Sequence, residues 1–283
     1  MKILLITVVL ILLILVFFII YFSESNKPVV ITSNEEDKIY LVDLSDLFHV
    51  FVYENDSMIT PDGQKSYRRA FFELIPQNSE IYHNIGLINQ SQNTVVVFPI
   101  FTITAYGEPG FYNYFNGKCD TSCLTDIPIR YDLPQKYQTS DAATKVFQLL
   151  GYQFITDIEI DKNPDILKQY DKVILLHNEY VTQAEFDAIT KHPKVIYLYP
   201  NALYAEITIN YELSTITLVK GHNYPEPEII NGFDWEFENT IFEKDSLCKN
   251  WKFYENNNGL MLNCYPENII FKNKTLLKMI KEY

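Results

Sequence analysis

Glycine is scarce in this chain, nine residues in 283, and no glycine-rich phosphate loop follows a strand. Gly107-Glu108-Pro109-Gly110 comes after an apolar run but lacks the helix-opening glycine pattern and the P-loop lysine, which argues against nucleotide binding. Basic charge is short as well: Lys plus Arg total 23 against 36 Asp plus Glu, a formal charge of -13. An acidic surface of this kind disfavours nucleic acid and anionic lipid as partners. Arginine stands only at 68, 69 and 130, and the Arg68-Arg69 pair beside aromatics reads as a solvated face. No histidine lies at zinc-finger spacing from the C-x3-C and C-x15-C pairs, so a structural zinc site is a poor fit. Internal repeats and low-complexity tracts are missing too.

One long hydrophobic run is present. Ile3 to Phe22 carries no charge and is long enough to cross a hydrocarbon core of about 30 Å as a helix. Phe17, Phe18, Tyr21 and Phe22 precede Ser23-Glu24-Ser25, a setting too bulky for a good cleavage site, so the expectation is an uncleaved signal anchor with the bulk of the chain extracytoplasmic. The even number of cysteines agrees with export: Cys119, Cys123, Cys248 and Cys264 suggest local disulfides, 119 with 123 and 248 with 264, although four cysteines allow three connectivities. Sequons at Asn55, Asn89 and Asn273 fit the same compartment if they sit on surface loops.

The patterning divides the chain into an anchor (1–25), a β-rich membrane-proximal segment (26–93), an α/β domain (94–220) and an aromatic, irregular extension (221–283) that packs on it and ends in a helix from Lys274 to Glu282. Within the α/β domain, Thr94 to Thr102 is a β-branched run suited to a central parallel strand. A helix follows from Ser140 or Asp141 to Leu150, then a strand from Gln153 to Ile160 and a short helix opened by Asn163-Pro164. The next strand spans Lys172 to Leu176, the next helix Gln183 to Lys191, and another strand Val195 to Leu198. This βαβαβ succession predicts a doubly wound, mostly parallel sheet. Ala205 to Val219, broken near Leu213-Ser214, reads as an antiparallel pair beside it.

The densest chemistry lies where the run Asp171 to Leu176 ends in His177-Asn178-Glu179-Tyr180, just before a capping-box pattern at Thr182-Gln183-Ala184-Glu185. In open α/β sheets ligands bind outside the carboxyl ends of strands, and His177 and Glu179, two apart on an extended backbone, project to one side. The same residues also suit a bland reading, a packed histidine and a carboxylate beside a helix N-terminus. Asn201, Tyr204 and Glu206, after the next strand, either line the same crevice or pack a loop. Arg130 either orients an anionic substrate or pairs with a carboxylate.

Three segments together, Thr104-Ala105-Tyr106-Gly107 with Gly110-Phe111-Tyr112, then Pro128-Ile129-Arg130-Tyr131, then His177-Asn178-Glu179-Tyr180, resemble the catalytic domain of the N,N-dimethylformamidase large subunit over about residues 94–203. The resemblance implies a fold similar to that of class I glutamine amidotransferases, and an iron bound by Tyr106, Tyr131 and Glu179 with His177 assisting hydrolysis. It departs from the family at Glu108-Pro109, at the missing proline between Arg130 and Tyr131, and at Val181. No cysteine occupies the sharp strand-to-helix turn, so the thioester chemistry of true glutamine amidotransferases is not expected. The expected function is hydrolysis of a small amide or C–N bond, metal-dependent on the resemblance, at the cell surface. The alternatives are an inactive cell-surface binding or scaffold protein that keeps the fold, and a carbohydrate hydrolase pairing Glu179 with Glu108 or Glu206.

Overall fold

The computed structural model describes residues 30–31, 38–59, 63, 65–67, 69–90, 93–131, 137–235 and 245–283. The expected anchor over residues 3–22 lies outside them. Among the described residues no helix is long and apolar enough to cross a membrane.

The described residues before Thr94 are β-rich, as their alternation predicts. Strands β1 (Val30–Ile31), β2 (Ile39–Val42), β3 (Phe48–Tyr53) and β6 (Ala70–Leu74) form an antiparallel sheet in that order, with β4 (Ser57–Ile59) and β5 (Lys65–Tyr67) as a separate pair. β3 buries every second residue, Phe48, Val50 and Val52, which sends one face to the core. Helix α1 (Ser79–Ile85) leads into the α/β region.

The main sheet is built from β7 (Thr94–Phe98), β9 (Gln153–Thr156), β10 (Lys172–Leu175), β12 (Val195–Tyr197), β15 (Phe253–Asn256) and β16 (Gly259–Leu262), in the order β9-β7-β10-β12-β16-β15. The first five run parallel and β15 closes the edge antiparallel. Both faces are covered. Val96, Ile174 and Ile196 point into one apolar cluster with helix α4 (Asp141–Leu149) and the C-terminal helix α7 (Lys274–Glu282). Val95, Val97, Val173, Leu175, Val195 and Tyr197 point into the other, with α5 (Asp157–Lys162) and α6 (Gln183–Lys191). A sheet buried on both sides accounts for the unbroken apolar runs that mark these strands.

Numbered by appearance within the parallel set, the order is 2-1-3-4-5, so the progression of strands across the sheet reverses between β7 and β10. That reversal opens a crevice at the strands' carboxyl ends, where doubly wound sheets hold their ligands. A third sheet, β11 (Tyr180–Val181), β13 (Ala205–Asn210), β14 (Thr215–Lys220) and β8 (Ile127–Pro128), packs over it. The antiparallel pair expected over 205–219 is β13 and β14.

Three local expectations change. The run from Thr94 is strand only to Phe98. Pro99 then opens helix α2 (Ile100–Ala105). The strand from Gln153 stops at Thr156 because Thr156 and Glu159 make a reciprocal capping box that starts α5. At α6 only half of the predicted box exists: Thr182 Oγ1 accepts from the Glu185 amide at 3.2 Å, but Glu185 is fully buried and its carboxyl does not return the bond.

The C-terminal extension is more than a covering. It donates β16, the fifth parallel strand, and β15. Gly259 lets β16 approach closely: a Cβ there would stand 1.9 Å from the Val195 carbonyl oxygen. Cys248 and Cys264 are joined beside this strand and Cys119 is joined to Cys123, the local pairing the spacing suggested. Asn55 and Asn89 are exposed, and the Asn273 side chain caps α7 through a 2.9 Å bond from the Leu276 amide.

The 248–264 bridge closes a separation of 16 residues, for which the chain-entropy model gives about 3 kcal/mol. Replacing both cysteines with serine is therefore expected to lower the thermal midpoint by roughly 6–12 °C in calorimetry. Replacing the 119–123 pair, separated by only 4 residues, is expected to cost less.

Candidate active site

Three pieces of chain meet at the crevice between β7 and β10. Leaving β10, the chain turns through His177-Asn178-Glu179 before pairing again as β11. Thr102 of α2 holds this tip: its Oγ1 accepts from the Glu179 amide at 3.0 Å and the Tyr180 amide at 3.2 Å. α2 is in turn fixed by Asp157, whose Oδ2 accepts from the Phe101 amide at 2.7 Å. The far side is closed by residues 203–205, where Leu203 N donates to Asn178 O and both Tyr204 N and Ala205 N donate to Glu179 O.

Glu179 is fully buried, and three side chains surround its carboxylate. The Tyr106 hydroxyl donates to Oε2 at 2.8 Å, His177 Nε2 lies 3.3 Å from the same oxygen, and His222 Nε2 lies 2.6 Å from Oε1. Tyr112 extends the chain of phenols, donating to Tyr106 Oη at 2.8 Å with the two ring centroids 4.2 Å apart. Burial drives the Glu179 carboxyl up, but His222, His177 and the Tyr106 hydroxyl outweigh it and leave the group below the ordinary carboxylate range. Tyr106 moves the other way: burial and then the Glu179 charge push its phenol well above the usual value, so it stays a protonated donor. Neither imidazole aligns an N–H on the oxygen it faces, and His177 Nε2, His222 Nε2 and Glu179 Oε1 keep unused hydrogen-bonding capacity inside the protein.

The His177 ring is held from behind. Its Nδ1 contacts the Gln138 carbonyl, which can only accept, so Nδ1 carries a proton, and Nε2 is the nitrogen that faces Glu179. Tyr265 donates to the same carbonyl at 2.7 Å and stands 3.1 Å from Nδ1, while Tyr199 stacks on the ring at 5.5 Å. Tyr199 also donates to Glu267 Oε1 at 2.5 Å, and Glu267 accepts from the Ala142 and Ala143 amides at the start of α4.

The structure therefore brings together Tyr106, His177 and Glu179. It does not bring in Tyr131, which is 70% exposed and lies near Tyr211. Tyr131 thus stands apart, and the phenol that adjoins Tyr106 is Tyr112. Tyr106 Oη is bonded to Glu179 Oε2, and among the described residues no group of three or more His, Cys, Asp or Glu is arranged to hold a metal. Glu206 pairs with Lys220 at 3.3 Å and exposed Glu108 with Lys118 at 3.2 Å. Asn201 is buried, Tyr204 packs edge-on against His222 at 4.6 Å, and Arg130 donates to the Glu108 carbonyl at 3.5 Å.

His222 had no sequence signal. It follows β14 on a turn whose Gly221 and Tyr224 exchange backbone bonds of 2.8 and 3.1 Å, with positive φ at Gly221 (118°), His222 (56°) and Asn223 (63°). Two non-glycine residues in the left-handed region are uncommon and mark a turn of type I′. The pairing of β13 with β14 brings this turn back beside Tyr204 and Ala205, and so against Glu179.

Burial pushes the Glu267 carboxyl up to about 7 from 4.5, the Tyr199 and α4 amide bonds offsetting it only in part. The folded protein then holds a proton that the unfolded chain has released, so this group's stabilisation is complete below about pH 4.5 and is lost as the pH rises to about 7. Glu267→Gln is expected to flatten the fall in unfolding free energy between about pH 5 and pH 7.5 by the order of 3 kcal/mol, read from denaturant melts at both values.

No protein-family model matches this chain and no curated protein aligns with it, so the functional reading rests on the geometry just described.

Proposed function

We propose that this protein is a membrane-anchored, extracytoplasmic amidohydrolase that cleaves a small amide or other C–N bond at Glu179. The observation that carries the reading is an ionised carboxylate buried among two imidazoles and a neutral phenol, at the crevice where a doubly wound sheet binds ligands. Such a group is costly to bury, and a site that keeps one charged beside unused imidazole nitrogens is suited to moving protons. Tyr106 can serve a carbonyl oxygen as charge develops on it only by turning its single O–H from Glu179 Oε2, with Tyr112 still donating to the phenol oxygen. Glu179 and its imidazoles supply the acceptor for the proton of the attacking water. The class I glutamine amidotransferase-like fold belongs to the same reading, supported by the sheet order and by the place of His177-Asn178-Glu179 after β10. Export is supported by the uncharged run 3–22 and the two disulfides.

A second reading, an inactive surface-binding protein that keeps the fold, is favoured by one observation: Glu179 is wholly enclosed and His177 nearly so.

The full chain assayed against a panel of small amides for released amine separates the two. Under the first reading, Glu179→Gln lowers kcat/KM by at least about 100-fold and Tyr106→Phe by about tenfold or more, whereas Tyr131→Phe matches wild type. Absence of turnover across the panel, or a Glu179→Gln protein as active as wild type, overturns it.

A further inference from the structure

We propose that His222, and not His177, is the residue that exchanges protons with the substrate, and that His177 is a positioning residue holding Glu179 from behind. This rests on the hydrolase reading above.

The two histidines meet opposite oxygens of one carboxylate but differ in everything else. The His177 side chain is 2% exposed, its Nδ1 is committed to the Gln138 carbonyl, and Tyr106, Tyr199 and Tyr265 pack around its ring. The His222 side chain is 18% exposed, and its Nε2 is the closer of the two to the carboxylate, 2.6 Å from Oε1.

The ring of His222 is also aimed. It stacks on Tyr180 at 5.4 Å, meets Tyr204 edge-on at 4.6 Å and lies 5.5 Å from Phe115, so its rotation is limited. The backbone beneath it occupies the left-handed region at two successive non-glycine residues, a cost that persists only where the surroundings over-determine it. Two further bonds fasten the turn, His222 N to Ile230 O and Asn223 N to Ile229 O. A carboxylate behind an imidazole that faces the substrate is the arrangement in which the acid orients the ring and stabilises its charged form.

In amide hydrolysis the step balances as follows. His222 takes one proton from water as the water oxygen bonds to the carbonyl carbon. The same imidazolium returns that proton to nitrogen as the C–N bond breaks, leaving a carboxylic acid and an amine and restoring His222.

The test uses the full chain, with His222→Ala and His177→Ala assayed on the best amide of the panel with and without added imidazole. His222→Ala is expected to lower kcat/KM by about 100-fold or more. Imidazole should restore part of that loss, because the cavity it leaves opens to solvent. His177→Ala should not be rescued, because its cavity is closed. His222→Ala within about threefold of wild type, or rescue of His177→Ala alone, overturns the assignment. Absence of wild-type turnover overturns the hydrolase reading, and with it the proton-transfer role. Acylation by diethyl pyrocarbonate with peptide mapping then still reads the geometry: His222 should be modified well before His177, and the reverse order refutes the orientation claimed for the two rings.

Discussion

A carboxylate withdrawn from water is the constraint on which the rest of this structure turns. Moving such a charge into a protein interior costs several kcal/mol, recovered only if its partners are in place when it is enclosed. Glu179 draws those partners from three distant stretches: Tyr106 after β7, His177 after β10 and His222 after β14. The packing order of the sheets follows from the same need. The β11–β13 pairing fixes Tyr204 and Ala205 against the Glu179 carbonyl, and the β13–β14 hairpin then returns the chain with His222 in reach.

The abundance of tyrosine, 21 residues, takes on a purpose around this centre. Tyr106, Tyr180, Tyr199, Tyr204 and Tyr265 wall the two imidazoles with flat apolar surfaces, while several of their hydroxyls serve as local donors. Phenylalanine would give the walls without the donors, and serine the donors without the walls. Net charge is likewise less simple than composition implies. Asp157 and Glu185 are fully buried and burial raises both carboxyls well above their ordinary range, with Asp161 adding to each. Asp157 braces α2 through the Phe101 amide, and neither group behaves as an ordinary exposed negative charge.

Local patterns carried much of this architecture in the sequence. The apolar runs at 94–98, 172–175 and 195–197 are read from residue type because strands buried on both faces are apolar throughout, and the final helix from Lys274 from its one-sided stripe of Leu276, Leu277 and Ile280. His177, Glu179 and Tyr106 were legible for the same reason, each following a strong strand signal. His222 was not: it is close to Glu179 only through a hairpin whose end point depends on pairing register, and register is not written in any single segment. Strands β15 and β16 escaped notice among aromatics and asparagines, although Asn256-Asn257-Asn258-Gly259 between two apolar stretches is a turn signal. Tyr131 was misplaced because motif order says nothing about which way a loop faces once it leaves β8.

The order of strands has a consequence for how the molecule comes into being. β7, β9, β10 and β12 are made one after another and can associate as they appear, but the outer edge of β12 meets its neighbour only when residues 253–262 exist. Until then Val195, Ile196 and Tyr197 present an apolar row of open amides and carbonyls, a template for any extended chain nearby. The 248–264 bridge forms beside that seam. In an oxidising compartment it acts as a clasp on the last strand, making permanent a closure that the order of synthesis leaves until the end.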